Sequence, residues 1–354
     1  MAPGPILTGR WAYPCPNTPS PVYATWSTAW KATTNRSCPA TGHCVPPSSS
    51  SPPTSRHDDG DVLCCLSMST TRPCYRCWPT ARLAAARRMN RPRERSLPVT
   101  SARAVCRNWR DSDSYLGHDN AIVWPILNRP KEEAASSPFD CLSHLSGFAG
   151  HSVQGGKSSD YHAHDNAEQY YYILSGTADV RIGDDTCPVS EGSVAYFPPG
   201  VGHQLIGDRN PDWMQYLIIS CPVPDEKLGE GKPIGQPRVL NWRDASPNMG
   251  DHGKAVTWQL LERLDTDESG TDQPCLLSFW YLARQAVGMG HASDYHQHDD
   301  KEQIYYILEG EGTVVAGFDA FPVKTGDAVY LPLGVPHVIL NDRHEGWLSY
   351  LVVS

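Results

Sequence analysis

Long apolar runs are missing from this 354-residue chain. No stretch of about 18 apolar residues occurs, which excludes a membrane-spanning helix. Met1 to Pro16 has no uninterrupted apolar segment, so a secretory signal is not expected. Cysteine is sparse beyond position 106, where only Cys141, Cys187, Cys221 and Cys275 occur. Such usage is ordinary for an intracellular protein and does not describe a disulfide framework. Nothing reads as a phosphate-cradling loop or a Ser/His/Asp arrangement, and no window shows a convincing helical period.

Acidic residues are scarce at one end only. Residues 1–104 carry 13 Lys/Arg against 4 Asp/Glu, while the rest carry 17 against 35. The net charge of −9 therefore conceals a basic leader and an acidic body. An acidic body disfavours nucleic acid and anionic membrane as partners, and a cytoplasmic location is expected. The leader holds 15 of the 31 prolines and eight of the 12 cysteines fall at or before Cys106. With almost no periodic apolar pattern it cannot offset its chain entropy, so residues 1–104 are expected to be disordered or a non-native leader. An organelle transit segment and a functional basic tail are the competing readings. Cys74-Tyr-Arg-Cys77 stands alone, without the second pair a zinc finger needs.

What the body does contain is a duplication. Asp160-Tyr-His-Ala-His-Asp-Asn-Ala-Glu-Gln-Tyr-Tyr-Tyr-Ile-Leu-Ser-Gly176 returns as Asp294-Tyr-His-Gln-His-Asp-Asp-Lys-Glu-Gln-Ile-Tyr-Tyr-Ile-Leu-Glu-Gly310, with 12 of 17 positions identical at an offset of 134. The same offset carries Gly192, Pro198, Gly200 and His203 onto Gly326, Pro332, Gly334 and His337. Asn108-Trp-Arg-Asp111 matches Asn241-Trp-Arg-Asp244 with a one-residue slip. Each copy reads as short Val-, Ile- and Tyr-rich runs between Gly, Pro and Asp turns, the signature of an all-β sandwich or jelly-roll barrel. The expected units are 105–224 and 240–354, joined by a linker at 225–239.

Metal-ligating residues recur in register. His162 and His164, like His296 and His298, are two apart, so on an extended strand both rings project to one side. His203 and His337 follow Gly/Pro turns that hold them in place. Three converging imidazoles suit Mn, Fe, Co, Ni, Cu or Zn, one divalent ion per domain.

In these motifs the body resembles the cupin superfamily in its two-domain, bicupin form. The second family motif, Gly–five residues–Pro-x-Gly–two residues–His–three residues–Asn, is complete as Gly326, Pro332, Gly334, His337 and Asn341, whereas Gly207 replaces the Asn in the first copy. The first motif is His-x-His, three or four residues, Glu, six residues, Gly. Counting back from Gly176 and Gly310 lands on Gln169 and Gln303, with Glu168 and Glu302 one residue earlier. Adjacent strand residues face opposite ways, so one of each pair completes the ligand set. The glycine-anchored spacing favours Gln169 and Gln303, and Glu168 and Glu302 are the alternative ligands. Tyr161, Tyr171, Tyr172, Tyr295, Tyr305 and Tyr306 flank the sites as packing residues or proton carriers, and Arg209 and Arg343 recur in the turn after the third histidine.

The resemblance implies two tandem jelly-roll barrels and a metal-dependent enzyme acting on a small organic molecule. Within the family's range a dioxygenase is the favoured expectation. An isomerase, decarboxylase or lyase comes second, and a non-catalytic binder of metal or small ligand third. Family habit also implies a homodimer.

Overall fold

The computed structural model describes residues 103–131, 137–207, 211–228, 235–250, 252–264 and 274–354. Residues 1–102, where the sequence predicts disorder, lie outside the described residues, as does Arg209.

Strand follows strand along the chain. They are β1 (Val105–Asn108), β2 (Tyr115–Gly117), β3 (Ala121–Asn128), β4 (Gly147–Val153) and β5 (Ala167–Ser175). Next come β6 (Thr177–Ile182), β7 (Asp185–Ser190), β8 (Ser193–Phe197), β9 (His203–Ile206) and β10 (Met214–Pro222). After a one-turn helix at Asp225–Leu228, the second series starts with β11 (Arg238–Asn241), β12 (Pro247–Met249), β13 (Val256–Glu262), β14 (Tyr281–Val287) and β15 (Gln303–Glu309). It ends with β16 (Glu311–Ala316), β17 (Asp319–Lys324), β18 (Asp327–Leu331), β19 (His337–Leu340) and β20 (Leu348–Val353). The fold is all-β, as the turn spacing predicts. Among the described residues no helix is long and apolar enough to cross a membrane.

Each half pairs a seven-stranded sheet with a three-stranded one. The orders are β11-β8-β5-β10-β4-β3-β2 with β7-β6-β9, and β1-β18-β15-β20-β14-β13-β12 with β17-β16-β19. The two edge strands are exchanged: β1 pairs antiparallel with β18 of the second barrel, and β11 pairs with β8 of the first. Sequence copy and spatial barrel therefore differ by one strand on each side.

Local chemistry fixes this exchange. The Asn108 side chain accepts from Arg110 N at 3.1 Å, capping the 3-10 turn Trp109–Asp111, and its amide donates to Asp327 Oδ1 at 2.6 Å. Trp109 then packs against the turn at Gly326, where an added Cβ would stand 2.8 Å from its ring. Gly326 has φ +92°, so glycine is required there twice over, for backbone and for space. Asn241, Trp242 and Gly192 repeat the arrangement on the other side.

The exchanged sheets sandwich the largest apolar cluster between the barrels, including Phe148, Tyr170, Tyr172, Tyr196, Phe279, Ile304, Tyr306 and Tyr330. Alternate residues of the same strands, Tyr171 and Ile173 or Tyr305 and Ile307, fill the barrel interiors. Burial on both faces explains why β5 and β15 read as continuous apolar runs rather than alternating ones. Each such side chain contributes about 1.5–3 kcal/mol of transfer free energy.

Candidate metal centres

His162 and His164 sit on extended chain just before β5, not within a regular strand. A single antiparallel bridge joins His162 to His203 at the start of β9, with His203 N donating to His162 O at 2.8 Å. The Pro-Pro-Gly turn closes onto the same segment through Gly200 N to His164 O, 2.8 Å. The same two contacts tie His296 to His337 and Gly334 to His298. The predicted trios thus meet: in His162/His164/His203 and in His296/His298/His337 one ring nitrogen from each lies within 4.8 Å of the others.

What those nitrogens face is informative. His203 Nδ1 lies 3.0 Å from Val201 O and His337 Nδ1 lies 2.8 Å from Val335 O, contacts that place the ring proton on Nδ1. Each Nε2 then presents a lone pair, 3.2 Å from Gln169 Oε1 and 3.1 Å from Gln303 Oε1. The Gln169 amide is turned that way because its Nε2 donates to Ser220 Oγ at 2.8 Å, and Gln303 Nε2 contacts the Tyr281 hydroxyl. Two acceptors this close repel unless one cation is bound by both. His162 Nε2, His164 Nε2 and His298 Nε2 are buried without a hydrogen-bond partner, which is the donor set a divalent ion would satisfy. The residues fit such an ion.

Burial disfavours imidazolium here, holding His203 down at about 3 and His337 and His298 at about 4. Neutral rings are what metal ligation requires. Without metal, the folded chain is expected to be at full stability above the ordinary histidine range and to lose stability as pH falls from about 6.5 toward these depressed values. Urea midpoints of the metal-free chain between pH 8 and 4 read this directly; a flat profile would contradict it.

Glu168 and Glu302 point away from the histidines, into the other barrel. Glu168 is fully buried and accepts from Leu277 N (2.8 Å), Ser278 N (2.5 Å), Phe279 N (2.6 Å) and Tyr196 Oη (2.6 Å). Glu302 accepts from Ser143 N and Oγ, His144 N, Leu145 N and Tyr330 Oη at 2.7–2.9 Å. Strand parity thus sends the glutamine of each pair to the histidines and the glutamate to the interface.

The sequence reading did not single out two further residues per barrel. Asp160 Oδ2 stands 3.3 Å from His162 Nδ1 and its Oδ1 is 3.0 Å from His118 Nδ1. Asp294 and His252 repeat this around His296, at 3.4 and 3.6 Å. Each carboxylate adds a negative charge beside the ring of its neighbouring histidine, and the Asp160 carboxylate is hydrogen-bonded to His118. His118 takes a positive φ of 47° in the β2–β3 turn, a conformation uncommon outside glycine. The 134-residue offset linking His118 to His252 was the available signal. Of the tyrosines, Tyr172 and Tyr306 pack between the barrels, while Tyr171 and Tyr305 line the interiors. Tyr161 is half exposed and carries Arg181 4.4 Å above its ring, and Arg343 Nε contacts Asp342 at 3.8 Å in its own turn.

The Cupin domain family matches the chain at residues 151–213 and 283–354, once in each barrel. Each match covers the His-x-His and Gly/Pro motifs of one barrel. An oxalate-binding protein of Thermotoga maritima is 33% identical over 72 residues, 20% of this chain and 59% of that protein. The matches to curated relatives span about half of each relative's length, 48%, 59% and 50%. Among solved structures, a putative glyoxylate-induced protein of Pseudomonas aeruginosa superposes with TM-score 0.57 at 17% identity, covering 75% of this chain and 92% of that one. Bacillus subtilis oxalate decarboxylase, a structure concerned with its Mn(II) centers, gives TM-score 0.52 at 16% identity over 70% and 76%. At such identities the structural likeness speaks for the fold alone.

Proposed function

We propose that the chain is a metal-dependent bicupin enzyme acting on a small oxyacid of the oxalate class, with decarboxylation as its reaction. The observation that carries the metal part is the pair of opposed acceptors, His203 Nε2 against Gln169 Oε1 and His337 Nε2 against Gln303 Oε1. The ligand set of each centre is then His162, His164, His203 and Gln169, or His296, His298, His337 and Gln303. All are neutral, so a bound divalent ion keeps its full charge and supplies Lewis acidity to a chelating carboxylate. The surrounding residues prepare the site: Asp160 and Asp294 place a carboxylate within 3.3 and 3.4 Å of one ring each, and Phe197 stacks on His203 at 4.2 Å, keeping water from that side. The relative named for oxalate binding supports the substrate class, and the oxidative dioxygenase reaction draws no support from the relatives.

That relative's name also favours a second reading, a binder without turnover. The full chain loaded with manganese, and separately with iron, is incubated with oxalate while formate, carbon dioxide and dissolved oxygen are followed. Formate and carbon dioxide in equal amounts without net oxygen uptake are expected. Oxygen consumption with two carbon dioxide and one hydrogen peroxide per oxalate would establish an oxidase instead, and tight binding with no product would establish the binder.

A further inference from the structure

The two barrels repeat their histidines but not their surroundings. On β4 and β14, alternate residues face the barrel interior, with Ala149 and Val153 in one and Val287 in the other belonging to the interior clusters. Two interior positions on these strands differ. Gly147 corresponds to Tyr281, and His151 corresponds to Gln285.

In the second barrel both polar groups are engaged by the barrel itself. The Tyr281 hydroxyl contacts the Gln303 amide, and Tyr350 Oη donates to Gln285 Oε1 at 2.8 Å. In the first barrel the two matching positions are not filled in this way. An atom placed where a Gly147 side chain would begin meets nothing within 4 Å, so a space opens beside Gln169 and Ser220 where the second barrel holds a phenol. His151 is 5% exposed, stacks on Tyr216 at 5.4 Å and lies 5.6 Å from the His118 ring, and its buried Nδ1 has no partner of good hydrogen-bond geometry, only the nearby Ala149 backbone. A buried polar atom so poorly paired gains stability when a ligand supplies the partner.

We infer that the first barrel alone is the ligand-binding barrel, taking a small carboxylate-type anion between the opening at Gly147 and the imidazole of His151, while the second barrel's centre is closed by Tyr281 and Gln285. The anion's identity rests on the oxyacid reading above; the asymmetry between the barrels does not. His151 is a specificity residue that hydrogen-bonds a ligand oxygen, and Gly147 admits the ligand that a phenol would exclude.

The test uses the full chain loaded with manganese and titrated calorimetrically with two probes. One is oxalate. The other is azide, a small anion that reports an open coordination position whatever the substrate. Wild type is expected to bind one equivalent of each per chain. Gly147→Tyr and His151→Gln are expected to weaken binding at least tenfold while the metal content stays unchanged. The pair Tyr281→Gly and Gln285→His is expected to add a second equivalent. If Gly147→Tyr loses metal, His151→Gln and the gained site decide. Two equal sites in wild type, no azide binding, or an unaltered affinity in His151→Gln would overturn the inference. Azide behaving as expected while oxalate stays silent would keep the asymmetry and reject the oxyacid reading.

Discussion

Glu168→Ala is expected to lower the unfolding free energy of the full chain by about 3–5 kcal/mol, as for one partner of a buried charge-assisted network. The replacement strips the acceptor from three backbone N–H groups and from the Tyr196 phenol, all deep in the interface where water cannot replace it. Burial pushes the Glu168 carboxyl up, and its four hydrogen-bond donors offset only part of that shift. Glu302→Ala removes the equivalent anchor at Ser143–Leu145. Urea unfolding measures both, and a loss under about 1 kcal/mol would show that the apolar interface holds the barrels without these carboxylates.

The second large effect concerns the ions. His203→Ala is expected to abolish one of two bound metal equivalents and His337→Ala the other, each lowering affinity at its own centre more than about 100-fold, beyond the cost of losing a supporting residue. Each histidine lies in a different barrel, so the untouched centre keeps its ion. Equilibrium dialysis with elemental analysis reads the count. Variants that both retain two equivalents would remove these residues from the ligand set.

Much of this site was legible because the chemistry repeats. The duplicated His-x-His and the Gly/Pro turns before His203 and His337 mark three convergent rings per copy, and the alternation of strand faces separates Gln169 from Glu168. Strand parity alone left open which of the two faced the histidines. That depended on the second face of β5 being an interface, which no local pattern reveals. The strand exchange was hidden for a similar reason. Asn108-Trp-Arg repeats in both copies, but whether Trp109 packs on Gly192 or Gly326 is decided by the partner barrel. His118 and His252 sit on short hairpins outside the motif spacing, and only a search for recurring polar residues at the common offset would have drawn them in. The contrasts of His151 with Gln285 and Gly147 with Tyr281 were visible as mismatches in the repeat; their meaning required knowing which strand face they occupy.

Crystals of the full chain grown with manganese, with data collected near the metal's absorption edge, test the central claim most directly. Two anomalous peaks per chain are predicted, one within bonding distance of His162, His164, His203 and the Gln169 amide oxygen, the other at His296, His298, His337 and Gln303. A chain without peaks, or with a peak at Glu168 or Glu302 instead of the glutamines, would contradict it.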